Sequence, residues 1–228
     1  MANPLGLIHP SLTLVVGASQ SGKSSFCVRV VEQARHVYGV DFKSIIWCYD
    51  GGEASAPRQQ LADVAGLHFH AGVPTDFTKF PRDSLIILDD CMQDCLNSSA
   101  ILALATKHCH HLRLSALIVL HNLFYSGKGM RSLSLNANYF VLYKSLRDRT
   151  QIDVFFRQFE PDLWKSLSTI YKRHVADTNY GYLLVDLHPA SLAPHFRVRR
   201  GIFADDTAVE VFCTPAQLAN GVSNEAAP

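Results

Sequence analysis

Gly17-Ala18-Ser19-Gln20-Ser21-Gly22-Lys23-Ser24 fits the pattern G-x-x-x-x-G-K-[ST], and its setting decides how the rest of the chain reads. The apolar run Leu12-Thr13-Leu14-Val15-Val16 precedes it, and a segment from Ser24 to about Tyr38, with Phe26, Val30 and Ala34 at helical spacing, follows. A strand leading into a glycine-rich turn, then a helix whose first N–H groups lack intrahelical partners, is an anion-binding arrangement. Gly17 and Gly22 allow backbone angles and a close approach that a Cβ would obstruct. Gly17, Ala18, Ser19, Gln20, Ser21, Gly22, Lys23, Ser24 and Ser25 are therefore expected to cradle the phosphates of ATP. Lys23 would set its ammonium between the β- and γ-phosphates, and the Ser24 hydroxyl would ligate Mg²⁺.

The 228 residues suit one α/β domain, expected over 11–213, with an irregular lead-in at 1–10 and a disordered tail at 214–228. Twenty-one basic residues against twenty acidic ones leave a formal charge of +1, so no global field draws the protein to nucleic acid or membrane. Any DNA contact must come from local patches. No basic residue precedes Lys23 and no apolar run approaches the ~18 residues of a membrane span, which predicts a soluble intracellular protein without signal peptide or membrane segment. Six scattered cysteines suit reduced thiols. Cys91, Cys95, Cys109 and His111 could form a zinc site, but their spacing is not that of a familiar finger, and buried thiols are the expectation.

Along the chain, strands are expected at 44–48, 67–70, 85–88, 114–120 and 139–143, with helices between them, an alternation that gives an α/β fold. Helices are expected at about 57–64, 98–111, 150–159 and from 160 to about 178, and 122–131 reads as a flexible basic loop. Extra strands near the end, at 182–187, 196–203 and 208–213, complete the pattern.

Leu85-Ile86-Ile87-Leu88 ends in Asp89-Asp90, so a buried strand brings two carboxylates to the carboxyl edge of the sheet, where open α/β folds bind ligands. Asp89 would hold Mg²⁺ and Asp90 would orient or deprotonate the attacking water, the alternative being that Asp90 caps the next helix. The strand 114–120 ends in His121-Asn122, polar side chains able to reach a γ-phosphate or the lytic water.

The succession of the loop, LIILDD, CHHLRLSALIVLHNLF, MRSLSLNANYFVLYKSLRDRTQ and NYGYLLVDLHP resembles the genome-packaging ATPases of nucleocytoplasmic large DNA viruses and Maverick/Polinton-type elements, members of the FtsK–HerA branch of P-loop motors. The resemblance spans about Leu12 to Phe203. It implies a P-loop NTPase fold of the ASCE/RecA-like type, a mostly parallel sheet of order 5-1-4-3-2 with extra C-terminal strands. It also implies a homo-oligomeric ring that couples ATP hydrolysis to the movement of double-stranded DNA into a capsid, in the host nucleus, at a viral assembly site or with the virion. Relatives often carry Gln-Asn at the sensor, where this chain has His121-Asn122, so His121 is expected to sense the γ-phosphate with Asn122 in support. Such rings supply an arginine from the neighbouring subunit to neutralise transition-state charge, for which Arg113 is the first candidate and Arg147 or Arg149 the second. Sequence-independent contacts to DNA phosphates are expected from Lys128 and Arg131. Two other readings stay open: a nucleotide or nucleoside kinase, and an ATP-binding assembly module without turnover.

Overall fold

The computed structural model describes residues 5–50, 55–91, 98–124, 128–145, 149–191 and 196–213. Nine strands form one sheet: β1 Leu12–Val16, β2 Ser44–Tyr49, β3 Leu67–Ala71, β4 Ser84–Leu88, β5 Leu114–Leu120, β6 Tyr139–Tyr143, β7 Tyr182–Asp186, β8 Val198–Arg200 and β9 Glu210–Val211. Their order is β3-β2-β4-β5-β1-β6-β7-β8-β9. The first six strands pair in parallel and the last three add in antiparallel fashion. The expected 5-1-4-3-2 order is its centre, read as β6-β1-β5-β4-β2. Outside that centre, β3, expected as a strand at 67–70 but without a place in that order, extends one edge, and the expected C-terminal strands extend the other as β7, β8 and β9 in antiparallel fashion.

Continuous apolar runs make these strands because both faces of the sheet are covered. Side chains alternate across a strand, so each run divides between two cores. Leu12, Leu14 and Val16 of β1 join Ile86 and Leu88 of β4 on one face, whereas Val15 joins Leu85 and Ile87 on the other. Helices α1 (Lys23–Glu32) and α2 (Ala34–Tyr38) cover the second face with Phe26, Val30, Val31 and Val37. A short α3, Ser55–Gln60, follows β2. The first face is covered by α4 (residues 99–111), α5 (Lys128–Asn136), α6 (Arg149–Phe159) and α7 (164–176).

Three expectations are corrected in detail. The helix expected from Ser24 to Tyr38 breaks at Gln33, whose φ of −114° is not helical. Within α4 the residues Leu104–His108 take a π turn where a regular α-helix was expected, with Ile101, Leu104, Ala105 and Cys109 buried and His108 half-buried beside them. The basic loop expected at 122–131 becomes helix at Lys128, because Met130 and Leu133 are buried one turn apart against the core. Residues 5–10 are irregular, as expected, but tied down: Leu7 N donates to Val37 O at 2.8 Å, and Arg199 donates to the carbonyls of Leu5 and Gly6 at 2.9 and 3.2 Å. Residues 214–228 lie outside the described residues.

Cys27, Cys48, Cys91 and Cys109 are buried, and no group of three or more potential metal ligands exists among the described residues. Cys95, required by the zinc reading, lies outside them. No helix among the described residues is long and apolar enough to cross a membrane.

Candidate active site

The site forms at the carboxyl edge of the parallel strands, where β1, β4 and β5 end side by side. Two backbone bonds fix the start of the phosphate loop: Gly17 N donates to Leu120 O at 3.1 Å and Ala18 N to Lys144 O at 3.0 Å. Glycine is required at 17, since a Cβ there would collide with the Tyr143 Cβ. At 22 the requirement is conformational: φ is +102°, and this left-handed residue opens α1. No acidic residue occupies the first turn of α1, and its leading N–H groups have no partner within the helix.

Lys23 is buried, and its ammonium donates to Ala18 O at 2.7 Å, across the mouth of the loop. Burial lowers its pKa, with the nearby Asp90 and Asp89 carboxylates acting the other way. Ser24 Oγ donates to Asp89 Oδ1 at 3.0 Å, which joins the helix that follows the loop to the tip of β4. Asp89 is 8 % exposed. Burial pushes its carboxyl up to about 6, against the Ser24 hydrogen bond and with help from Asp90 and Asp50. Beside it, Asp90 turns to a φ of +54° and projects into solvent, where Oδ1 lies 3.3 Å from His121 Nε2 at the tip of β5. The structure thus brings Lys23, Ser24, Asp89, Asp90 and His121 to one edge. Asn122 adjoins His121, and the segment after it is pinned by α6, where Gln151 Oε1 accepts from Leu123 N and Phe124 N at 3.1 Å each.

The donor set fits a nucleoside triphosphate with a divalent cation. Ser21 Oγ and His121 Nδ1 are buried and lack a hydrogen-bond partner among the described residues, so both can still engage an anion or water. A hydroxyl beside a carboxylate with a raised pKa is a hard oxygen pair of the kind Mg²⁺ accepts, and a cation would relieve the cost of burying Asp89.

The fold has known counterparts. Genome-packaging NTPases of a virus share it. The NTPase B204 of Sulfolobus turreted icosahedral virus 2 in complex with ATP-γS aligns at 12% identity over 90% of this chain and 97% of its own, with a TM-score of 0.52. The same protein with AMP aligns at 15% identity over 78% and 94%, with a TM-score of 0.51. B204 described as the DNA-packaging ATPase of Sulfolobus turreted icosahedral virus aligns at 13% over 78% and 93%, also at 0.51. At such identities the likeness is one of fold. No protein-family model matches the chain, and no curated protein does.

Of the proposed arginines, Arg113 lies at the opposite edge of the sheet, just before β5, with a φ of +53°. Its Nε donates to Asp83 Oδ1 at 2.6 Å, so its charge is engaged in an ion pair away from this subunit's own loop. Arg147 lies outside the described residues, as does the side chain of Arg149. Arg131 is exposed on α5, while of Lys128 only the backbone is described. Sequence reasoning missed three residues of the site: Asp50 at the tip of β2, which acts on Asp89, and Lys144 after β6 and Tyr180 before β7, which flank the loop. Asp50 carried the same signal as Asp89, an apolar strand ending in a carboxylate. Lys144 and Tyr180 carried none, because long-range pairing of β6 and β7 beside β1 brings them here.

Proposed function

We propose that this chain is an ATP-hydrolysing motor that moves double-stranded DNA into a viral capsid. The observation that carries the reading is the meeting, at one sheet edge, of the Ser24–Asp89 pair with the Asp90–His121 pair beside the phosphate loop. The first pair suits a metal-bound triphosphate and the second suits a water aimed at its terminal phosphorus. The loop N–H groups and Lys23 hold the phosphates, and Lys23 exchanges the Ala18 carbonyl for a phosphate oxygen. Ser24 and Asp89 would hold Mg²⁺, which when bound would neutralise charge on the phosphates. Asp90 accepts the proton of the attacking water while His121 orients that water, with Asn122 in support; the new P–O bond forms as ADP departs.

Packaging, a ring and capsid partners rest on the resemblance of the sequence blocks and on the fold shared with genome-packaging NTPases. In such a ring an arginine from a neighbouring subunit, Arg113, Arg147 or Arg149, would complete the charge stabilisation. Lys128 and Arg131 would grip DNA phosphates, and a ring multiplies this small patch, which offsets a net charge of only +1.

Steady-state ATP hydrolysis with and without long double-stranded DNA, at two salt concentrations, tests the proposal, with Lys23→Ala as the blank. The expected result is hydrolysis that DNA stimulates and high salt suppresses. Hydrolysis indifferent to DNA overturns the motor and favours the kinase reading, and ATP binding without turnover favours the assembly module.

A further inference from the structure

Tyr180 stands at this edge without a task in the phosphate chemistry, and its geometry is unusual. The residue is 72% exposed, and its φ of +58° places a bulky residue in the left-handed region. The surrounding turn holds it there. Thr178 Oγ1 donates to His174 O at 2.8 Å, anchoring the turn to the end of α7. At Gly181 a Cβ would collide with Thr178 Oγ1 and the His174 carbonyl, so the chain after Tyr180 has no alternative path with a side chain. The ring is held against the loop itself: a Cβ built on Gly22 would stand 3.3 Å from Tyr180 Cδ1. Strained backbone maintained by its surroundings, at a residue left largely exposed, is a common mark of a functional position.

An open cleft of about 380 Å³ separates the loop from this turn, lined by Ser19, Gln20 and Ser21 on one side and Lys144, Asn179 and Tyr180 on the other. Its direction relative to the phosphates follows from strand order. Asp89, Asp90 and His121 lie at the tips of β4 and β5, on one side of β1, whereas Lys144 and Tyr180 flank β6 and β7 on the other. A triphosphate whose terminal phosphorus faces Asp90 therefore runs along the loop toward the cleft and delivers its sugar and base there.

We propose that Tyr180 is the platform on which the nucleobase of the bound nucleotide stacks, an inference that rests on the nucleotide reading of the site. Stacking needs only a flat π-face, so the platform selects a nucleotide over a bare polyphosphate without distinguishing one base from another. Tyr180 positions the ligand and takes no part in the chemistry.

The test is equilibrium binding of ATP and of inorganic tripolyphosphate, each with Mg²⁺, to the full chain and to Tyr180→Ala, Tyr180→Phe and Lys23→Ala. The expected result is that Tyr180→Ala weakens ATP about tenfold or more and leaves tripolyphosphate within about twofold. Tyr180→Phe, which keeps the π-face, restores ATP. Lys23→Ala weakens both ligands. If Tyr180→Ala binds ATP as tightly as the wild type, the platform is overturned while the phosphate loop stands. Equal loss of both ligands overturns it too, since the residue would then only prop the loop. Wild-type protein that binds neither ligand, or Lys23→Ala that binds both unchanged, overturns the nucleotide reading and the platform with it.

Discussion

Asp89 shows how a single side chain sets a cost that a ligand can remove. Its carboxyl titrates at about 6 because it is buried, against a reference value of 3.8. A raised folded pKa contributes stability that is full below the unfolded value and is lost as pH rises through the folded one. The nucleotide-free protein should accordingly gain stability from this group as pH falls from above about 6 toward 4. The shift corresponds to about 3 kcal/mol at neutral pH. Asp89→Asn removes the charge and keeps an oxygen for Ser24, so it should raise the melting temperature of the nucleotide-free protein at pH 7.5. That advantage should shrink below pH 6, and Mg²⁺-dependent ATP binding should be lost at both values. Thermal melts across the pH range check this; equal melting of the two proteins at pH 7.5 would mean that burial does not strain Asp89. The same residues show what was legible at this scale. That Lys23, Ser24, Asp89 and Asp90 meet at one edge could be read because each belongs to a short local pattern at the end of a strand or the start of a helix. Tyr180 could not, since its position beside Gly22 depends on contacts 158 residues away in sequence, outside any local motif.

At the scale of elements, the sheet centre was legible because strands buried on both faces must be apolar throughout, and Leu12–Val16, Leu85–Leu88 and Leu114–Leu120 are nearly so. Helices on one face were less so. Residues 128–136 contain Gly129 and two serines, and only Met130 and Leu133 mark the buried stripe. The π turn in α4 was invisible to a 3.6-residue pattern by construction. Gln151 on α6 gives a test of how elements support the site. Its carbonyl is the shared acceptor for two N–H groups in the segment that follows His121 and Asn122. Gln151→Ala should leave both short of a partner, cost about 1–3 kcal/mol, and lower turnover more than ATP affinity, because the phosphate loop is anchored elsewhere. Chemical denaturation with single-turnover hydrolysis would read both effects. Unchanged turnover in a destabilised variant would show that the strand-tip position of His121 needs no support from α6.

For the whole molecule, the sequence pattern supports an α/β sheet with nucleotide chemistry at one edge, and the nine strands place the expected strand at 67–70 and the expected C-terminal strands on either side of the five-strand centre. Its antiparallel end, β7 to β9, ties the N-terminal lead-in to the sheet through Arg199, which also pairs with buried Asp186 at 2.9 Å. Nothing in a net charge of +1 announces DNA, so the motor reading stands or falls on coupling between hydrolysis and movement. Displacement of a third strand from a triplex on long double-stranded DNA measures that coupling most directly. The account predicts displacement by the wild type with ATP, none with Lys23→Ala, and none with Asp90→Asn even though that variant still binds ATP. Wild-type protein that hydrolyses ATP on this DNA but leaves the third strand in place would contradict it.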